Sequence, residues 1–126
     1  MKNTHNKPTE SELRILQILW DRGPSSVREV NDIISKTKDV GYTTTLKIMQ
    51  IMTDKGLVSR DTTSRTHIYS AAIEKETTQS NLLQSFIDST FKGSASSLVL
   101  QALGNNAATK KELSEIKKLI EKLENE

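Results

Sequence analysis

A chain of 126 residues holds one domain, or one domain with an appendage. Its 18 Lys+Arg against 16 Asp+Glu leave a formal net charge of +2, too little to point to a nucleic acid by itself. There is no cysteine, which excludes disulfides, thiolate metal sites and cysteine nucleophiles.

The first helix is predicted from Thr9, where Thr9 and Glu12 stand at capping-box spacing. Leu13, Leu16 and Trp20 then recur on one face, widened by Ile15, Ile18 and Leu19, and Trp20 is expected in the core. Gly23-Pro24 ends that helix. Ser26 and Glu29 form a second capping box, followed by Val27, Val30, Ile33 and Ile34 at helical spacing as far as about Lys36. A polar turn over 37–41 leads to a third helix over 43–55, with Gly56 as its C-terminal cap. The period then changes. Leu57-Val58-Ser59-Arg60 and Thr66-His67-Ile68-Tyr69-Ser70 read as two short strands around the turn 61–65. Three helices followed by a hairpin make a winged helix-turn-helix.

From Glu74 the pattern is helical again, with Leu82, Leu83, Phe86, Ile87 and Phe91 on one stretch that stops at Gly93. A short apolar helix over 94–103 carries Leu98, Val99, Leu100 and Leu103. Gly104-Asn105-Asn106 breaks the chain. Thr109 and Glu112 open a last helix in which Leu113, Ile116, Ile120 and Leu123 repeat at spacings of three and four. At about 24 Å this helix is too short to stand as a free coiled coil, so it must pack on something. The expected fold is mainly α with a small β-hairpin. Residues 1–72 form the winged helix and 73–126 a helical dimerisation domain.

Charge follows the same division. Residues 1–72 carry 11 basic and 8 acidic side chains, and residues 73–126 carry 7 and 8. A mildly basic front half suits a DNA-contacting part, and a near-neutral back half suits a partner-contacting one. The N-terminal stretch has no apolar run for a signal peptide, and no segment reaches the ~18 apolar residues of a membrane span, so a cytoplasmic protein is expected. His5 and His67 lie far apart without ligand spacing, so no metal is expected. No nucleophile–base pair, phosphate-cradling glycine loop or carboxylate dyad has recognisable spacing, so neither an enzyme nor a cofactor is expected.

The third helix is the most informative segment. At ~100° per residue, Thr45, Ile48, Met49 and Met52 fall on one face, and Thr43, Leu46, Lys47, Gln50 and Asp54 on the other. Gln50 suits an adenine edge, Lys47 a guanine or a phosphate, Thr43 a base or a phosphate, and Leu46 a thymine methyl. The same face also reads as an ordinary solvated surface, with Lys47 offset by Asp54. Arg65 and the hydroxyls of Thr62, Thr63 and Ser64 would form a wing tip suited to phosphate or to the minor groove. Arg14 and Arg28 sit at or near helix starts. Arg28 reads equally as a phosphate contact or a plain exposed arginine. Tyr42 either braces the turn or touches the DNA backbone.

Taken together, these residues resemble the penicillinase-repressor family over roughly residues 8–123. The resemblance is carried by Glu12-Leu13-Arg14-Ile15-Leu16-Gln17-Ile18-Leu19-Trp20-Asp21, by Gly23-Pro24 and by Ser26-Val27-Arg28-Glu29-Val30. It continues in Tyr42-Thr43-Thr44-Thr45, in Lys55-Gly56-Leu57-Val58 with Arg60, in Arg65, His67 and Tyr69, and in Ser97-Leu98-Val99-Leu100. The resemblance implies a bacterial transcriptional repressor that binds an inverted repeat of double-stranded operator DNA as a homodimer. Its DNA-binding residues would be Arg14, Arg28, Tyr42, Thr43, Thr44, Leu46, Lys47, Gln50 and Arg65. Dimerisation would fall to Leu82, Phe86, Leu98, Val99, Leu100, Leu113, Ile116 and Ile120. It also implies a membrane sensor protease as a partner, since in the β-lactam branch such a protease triggers a cut at an Asn-Phe bond. The matching place here reads Leu100-Gln101-Ala102-Leu103. The cysteine cluster of the copper-responsive branch is absent, and Leu46 stands where several members carry arginine. The reading that competes with a repressor is a winged-helix protein-interaction module without direct DNA readout.

Overall fold

The computed structural model describes residues 7–126, so His5 lies outside the described residues. The elements run α1 (Glu10–Arg22), α2 (Val27–Ile34), α3 (Tyr42–Asp54), β1 (Val58–Asp61), β2 (Ile68–Ala71), α4 (Lys75–Thr90), α5 (Ala95–Gly104) and α6 (Lys110–Glu124). This is the winged helix followed by a helical C-terminal segment. The chain forms two compact units, one reaching Leu82 and the other spanning Leu83–Glu126, so the division falls inside α4.

Local chemistry explains where the helices begin. Thr9 accepts from the Glu12 N–H while Glu12 accepts from the Thr9 N–H, and Ser26–Glu29 and Thr109–Glu112 repeat the arrangement. Each box satisfies donors that a helix start leaves orphaned. In the α2 box the Ser26 backbone N–H, above all, holds the Glu29 carboxyl below its usual range. Arg22 adds to this with an ion pair at 2.9 Å.

The helix ends are equally local. Gly23 caps α1 at φ 88°, ψ −164°, a region that side chains exclude. After α3, Gly56 takes φ 80°. The Gly56 N–H bonds the Thr53 carbonyl at 3.1 Å and the Leu57 N–H bonds the Met52 carbonyl at 2.9 Å. That is a Schellman motif, and its apolar pair, Leu57 and Met52, is fully buried. The turn thus ends the helix and seats the first residue of the wing in the core.

The hairpin pairs β1 and β2 antiparallel, with Val58 opposite Ala71 and Asp61 opposite Ile68. A third backbone segment joins it. The Ser25 N–H bonds the Tyr69 carbonyl at 2.9 Å and the Tyr69 N–H bonds the Ser25 carbonyl at 2.8 Å. The α1–α2 connection is therefore stitched to the wing. One core unites the first unit, built on Ile15, Leu16 and Leu19 of α1, Val27, Val30 and Ile34 of α2, Met49 and Met52 of α3, and Leu57, Val58 and Tyr69. Trp20 is half-buried against this core, and its indole N–H donates to the Ile73 carbonyl at 3.0 Å.

One polar residue sits inside this apolar frame. Asn31 is 8% exposed, and its Nδ2 donates to the Val40 carbonyl at 2.9 Å and to Thr45 Oγ1 at 2.8 Å. The first bond holds the turn between α2 and α3, and the second holds α3 itself. Replacing Asn31 by leucine keeps the volume but takes its donor from Thr45 Oγ1 and leaves the Val40 carbonyl with only the Ser35 hydroxyl at 3.3 Å. We expect Asn31→Leu to lower the stability of the first unit by about 1–3 kcal/mol. The check is urea unfolding followed by fluorescence of Trp20, the single tryptophan. An unchanged midpoint would show that water replaces the amide without loss.

Candidate nucleic-acid interface

The candidate interface rests on α3, because that helix is anchored on one side and bare on the other. Thr45, Met49 and Met52 are 0% exposed. Both ends are tied to neighbouring elements. Asn31 holds Thr45 near the start, and beyond the end Lys55 Nζ lies 2.7 Å from Glu12 Oε1, with Glu12 buried. The same Glu12 oxygen accepts from Thr9 in the α1 capping box. A carboxylate that serves two donors fixes the distance between the start of α1 and the end of α3.

The bare side of α3 carries Thr43, Thr44, Lys47, Gln50 and Asp54, all exposed. These are hydroxyl, ammonium, amide and carboxylate groups on a rigid helix, the donor and acceptor set that base edges and phosphates present in complement. The cap of α3, Gly41, has no side-chain bond to offer, so donors of the first turn stay open. Leu46 departs from its sequence-based place. It is half-buried and packs against the core, because it sits at the shoulder between the two faces. Ile51, in contrast, is 43% exposed beside the polar residues. Hydrophobic patterning missed it, because Ile51 stands between the core residues Met49 and Met52 in the sequence.

Arg28 and Tyr42 come together across the helix-turn-helix. The Arg28 Cζ lies 4.8 Å from the centroid of the Tyr42 ring. Tyr42 is the first residue of α3 rather than its predecessor. Its ring thus braces an exposed guanidinium that meets no carboxylate among the described residues. Arg14 is differently engaged, 3.7 Å from Glu10 one helical turn earlier. Arg65 is exposed in the wing turn, where the Asp61 carboxylate accepts from the Thr63 N–H at 2.9 Å and hydroxyl at 2.7 Å. Those two bonds hold Asp61 below its usual range, the backbone one foremost. Among the described residues no group of three histidines and carboxylates is placed to hold a metal, and no helix is long and apolar enough to cross a membrane.

The residues expected in dimerisation belong chiefly to the second unit. Phe86, Val99, Leu100, Leu113 and Ile120 are exposed, with Leu100 at 71%, and Leu98 and Ile116 are half-buried. Leu82, half-buried, ends the first unit. The large apolar residue buried in the second unit is Ile87.

A three-helix core, a hairpin wing and a polar outward face on the third helix define a winged-helix DNA-binding regulator of transcription. The comparisons with known proteins agree. The penicillinase repressor family model matches residues 8–122, and the chain belongs to that family. It is 22% identical over 120 residues to the penicillinase repressor of Staphylococcus aureus, covering 95% of each chain. To the penicillinase repressor of Bacillus licheniformis it is 22% identical over 117 residues, 93% of this chain and 91% of the relative. The transcriptional regulator BlaI of Mycobacterium tuberculosis is 34% identical over 59 residues, 46% of this chain and 43% of the relative.

The Arg28–Tyr42 stack is testable apart from any DNA. A double-mutant cycle of Arg28→Gln and Tyr42→Leu, read by urea unfolding, should give a coupling of about 0.5–1 kcal/mol. Tyr42→Phe should retain it, because the ring face and not the hydroxyl makes the contact. Strictly additive losses would show that the two side chains do not interact.

Proposed function

We propose that the chain is a sequence-specific transcriptional repressor that binds an inverted repeat of double-stranded DNA as a homodimer, one winged helix to each half-site. The observation that carries this reading is the two-sidedness of α3, locked at Thr45, Met49 and Met52 and bare at Thr43, Thr44, Lys47 and Gln50. In this reading Gln50 pairs with an adenine edge, Lys47 and Thr43 contact base or phosphate, and Thr44, Arg14, the braced Arg28 and Arg65 meet phosphates. Leu46 supports the helix from its shoulder.

Dimerisation explains the second unit. A segment of this length that buries Ile87 and leaves Phe86, Leu100, Leu113 and Ile120 exposed does not close a core by itself. A second copy covers that surface, and Leu82, Leu98, Val99 and Ile116 complete it. Two winged helices also answer the charge problem. A single half with Lys47 offset by Asp54 gathers few phosphate contacts, and two halves double them. Partners in this reading are operator DNA and a second copy in the cytoplasm. A membrane sensor protease joins them only if it accepts Gln101-Ala102, a bond inside α5 that must unwind before it is cut.

Enrichment of duplexes from a random library, followed by anisotropy titrations at several salt concentrations, tests the reading. We expect a palindromic site, a steep salt dependence, and a slope reduced by about one phosphate per subunit in Lys47→Ala. Gln50→Ala should relax preference at one position of each half-site. If no duplex is enriched at moderate salt, the chain is instead a protein-interaction module. For the dimer, Leu100→Glu should turn a sedimenting dimer into a monomer whose first unit stays folded by Trp20 fluorescence, since Leu100 lies in the second unit. A dimer that persists would place the interface elsewhere.

A further inference from the structure

Ile51 is 43% exposed, on the helix that the proposed function assigns to base reading. It follows Lys47 by four residues, so at ~100° per residue the two project within about 40° of each other. Thr45, Met49 and Met52 occupy the opposite side and are fully buried. The other branched apolar residues of α3, Leu46 and Ile48, are half-buried against the core, and Ile51 is not part of that packing. Its neighbours on the outward face are Thr44, Lys47, Gln50 and Asp54, all polar and exposed. A protein-binding patch needs contiguous apolar area, which this face lacks. One branched aliphatic group among hydrogen-bonding side chains instead matches the major-groove edge of an A·T pair, where thymine offers a C5-methyl beside polar atoms.

We propose that Ile51 is a specificity-determining residue that reads a thymine methyl in each half-site. The inference rests on DNA binding by α3 and goes beyond it by naming the base and the group recognised. Leu46, which patterning offers for that task, turns toward the core, and Ile51 takes its place.

The experiment uses the full chain and a duplex enriched by it. Each thymine of the half-site is replaced in turn by deoxyuridine, which lacks only the methyl group. At one symmetry-related position the wild type should lose about fourfold in affinity per half-site, the value of one buried methyl. Ile51→Ala should bind the thymine and deoxyuridine duplexes equally at that position and keep the salt slope of the wild type. Alanine suits an exposed helix position, so the fold is retained and the urea midpoint verifies it. Insensitivity of the wild type to every replacement overturns the proposal. So does a deoxyuridine penalty that survives in Ile51→Ala, or one abolished by Leu46→Ala alone. These failures leave DNA binding intact. Failure to enrich any duplex, in contrast, removes the DNA-reading function and this proposal with it.

Discussion

The arrangement of the first unit depends on how α3 is held, and Asn31 is the centre of that constraint. Its buried amide spends one hydrogen on the Val40 carbonyl and the other on Thr45 Oγ1. The Thr45 hydroxyl is fully buried, and leaving it without this donor costs about 1–3 kcal/mol. Only a narrow range of angles between α2 and α3 lets one amide reach both. Apolar packing alone tolerates sliding, and hydrogen-bond geometry does not. The far end of the helix is held by different chemistry, the Lys55–Glu12 pair and the Schellman turn at Gly56. A helix fixed at both ends presents its outward side chains without reorganisation, so little ordering cost falls on binding.

What the sequence disclosed divides by range. The three capping boxes, the Gly23 stop and the Gly56 turn involve partners within five residues, so spacing alone reveals them. The helix order and the hairpin follow from the change of hydrophobic period at Leu57. Long-range bonds left no such trace. Asn31 reaches fourteen residues ahead, Trp20 reaches Ile73, and Ser25 joins the hairpin at Tyr69. Each is an ordinary polar or aromatic residue until the fold brings its partner near.

The candidate interface was legible in part for a similar reason. Thr43, Lys47 and Gln50 are polar on a helix whose other side is apolar, and periodicity separates them cleanly. Leu46 and Ile51 defeat it, because both are apolar and a hydropathy pattern cannot rank two such residues by exposure. Leu46 sits about 100° from Lys47 and meets the core, whereas Ile51 sits nearer the outward centre. The two lie about 140° apart on the helix, on opposite sides of Lys47. The Arg28–Tyr42 stack was equally hidden, since a cation and a ring fourteen positions apart carry no signal until the turn folds.

The two units solve opposite problems. Among the described residues, the first keeps every large apolar side chain except Tyr42 and Ile51 buried or half-buried and shows solvent the polar face of α3. The second leaves Phe86 on α4 in water, and Leu100, Leu113, Leu119, Ile120 and Leu123 on α5 and α6, whose starts Ser94 and Thr109 cap. Caps set where a helix starts, but they supply only about 1 kcal/mol each. Burying even half of these side chains is worth several times that. If a second copy covers them, most of the stability of the second unit lies outside a single copy. In the dimeric reading, subunit pairing and helix packing are then one event. Whatever separates the copies also removes half of the phosphate contacts, and a weakly charged reading face cannot hold DNA with the remainder. In that reading the small net charge, uninformative at first sight, makes DNA affinity depend on the dimer and gives the C-terminal helices control over the N-terminal ones.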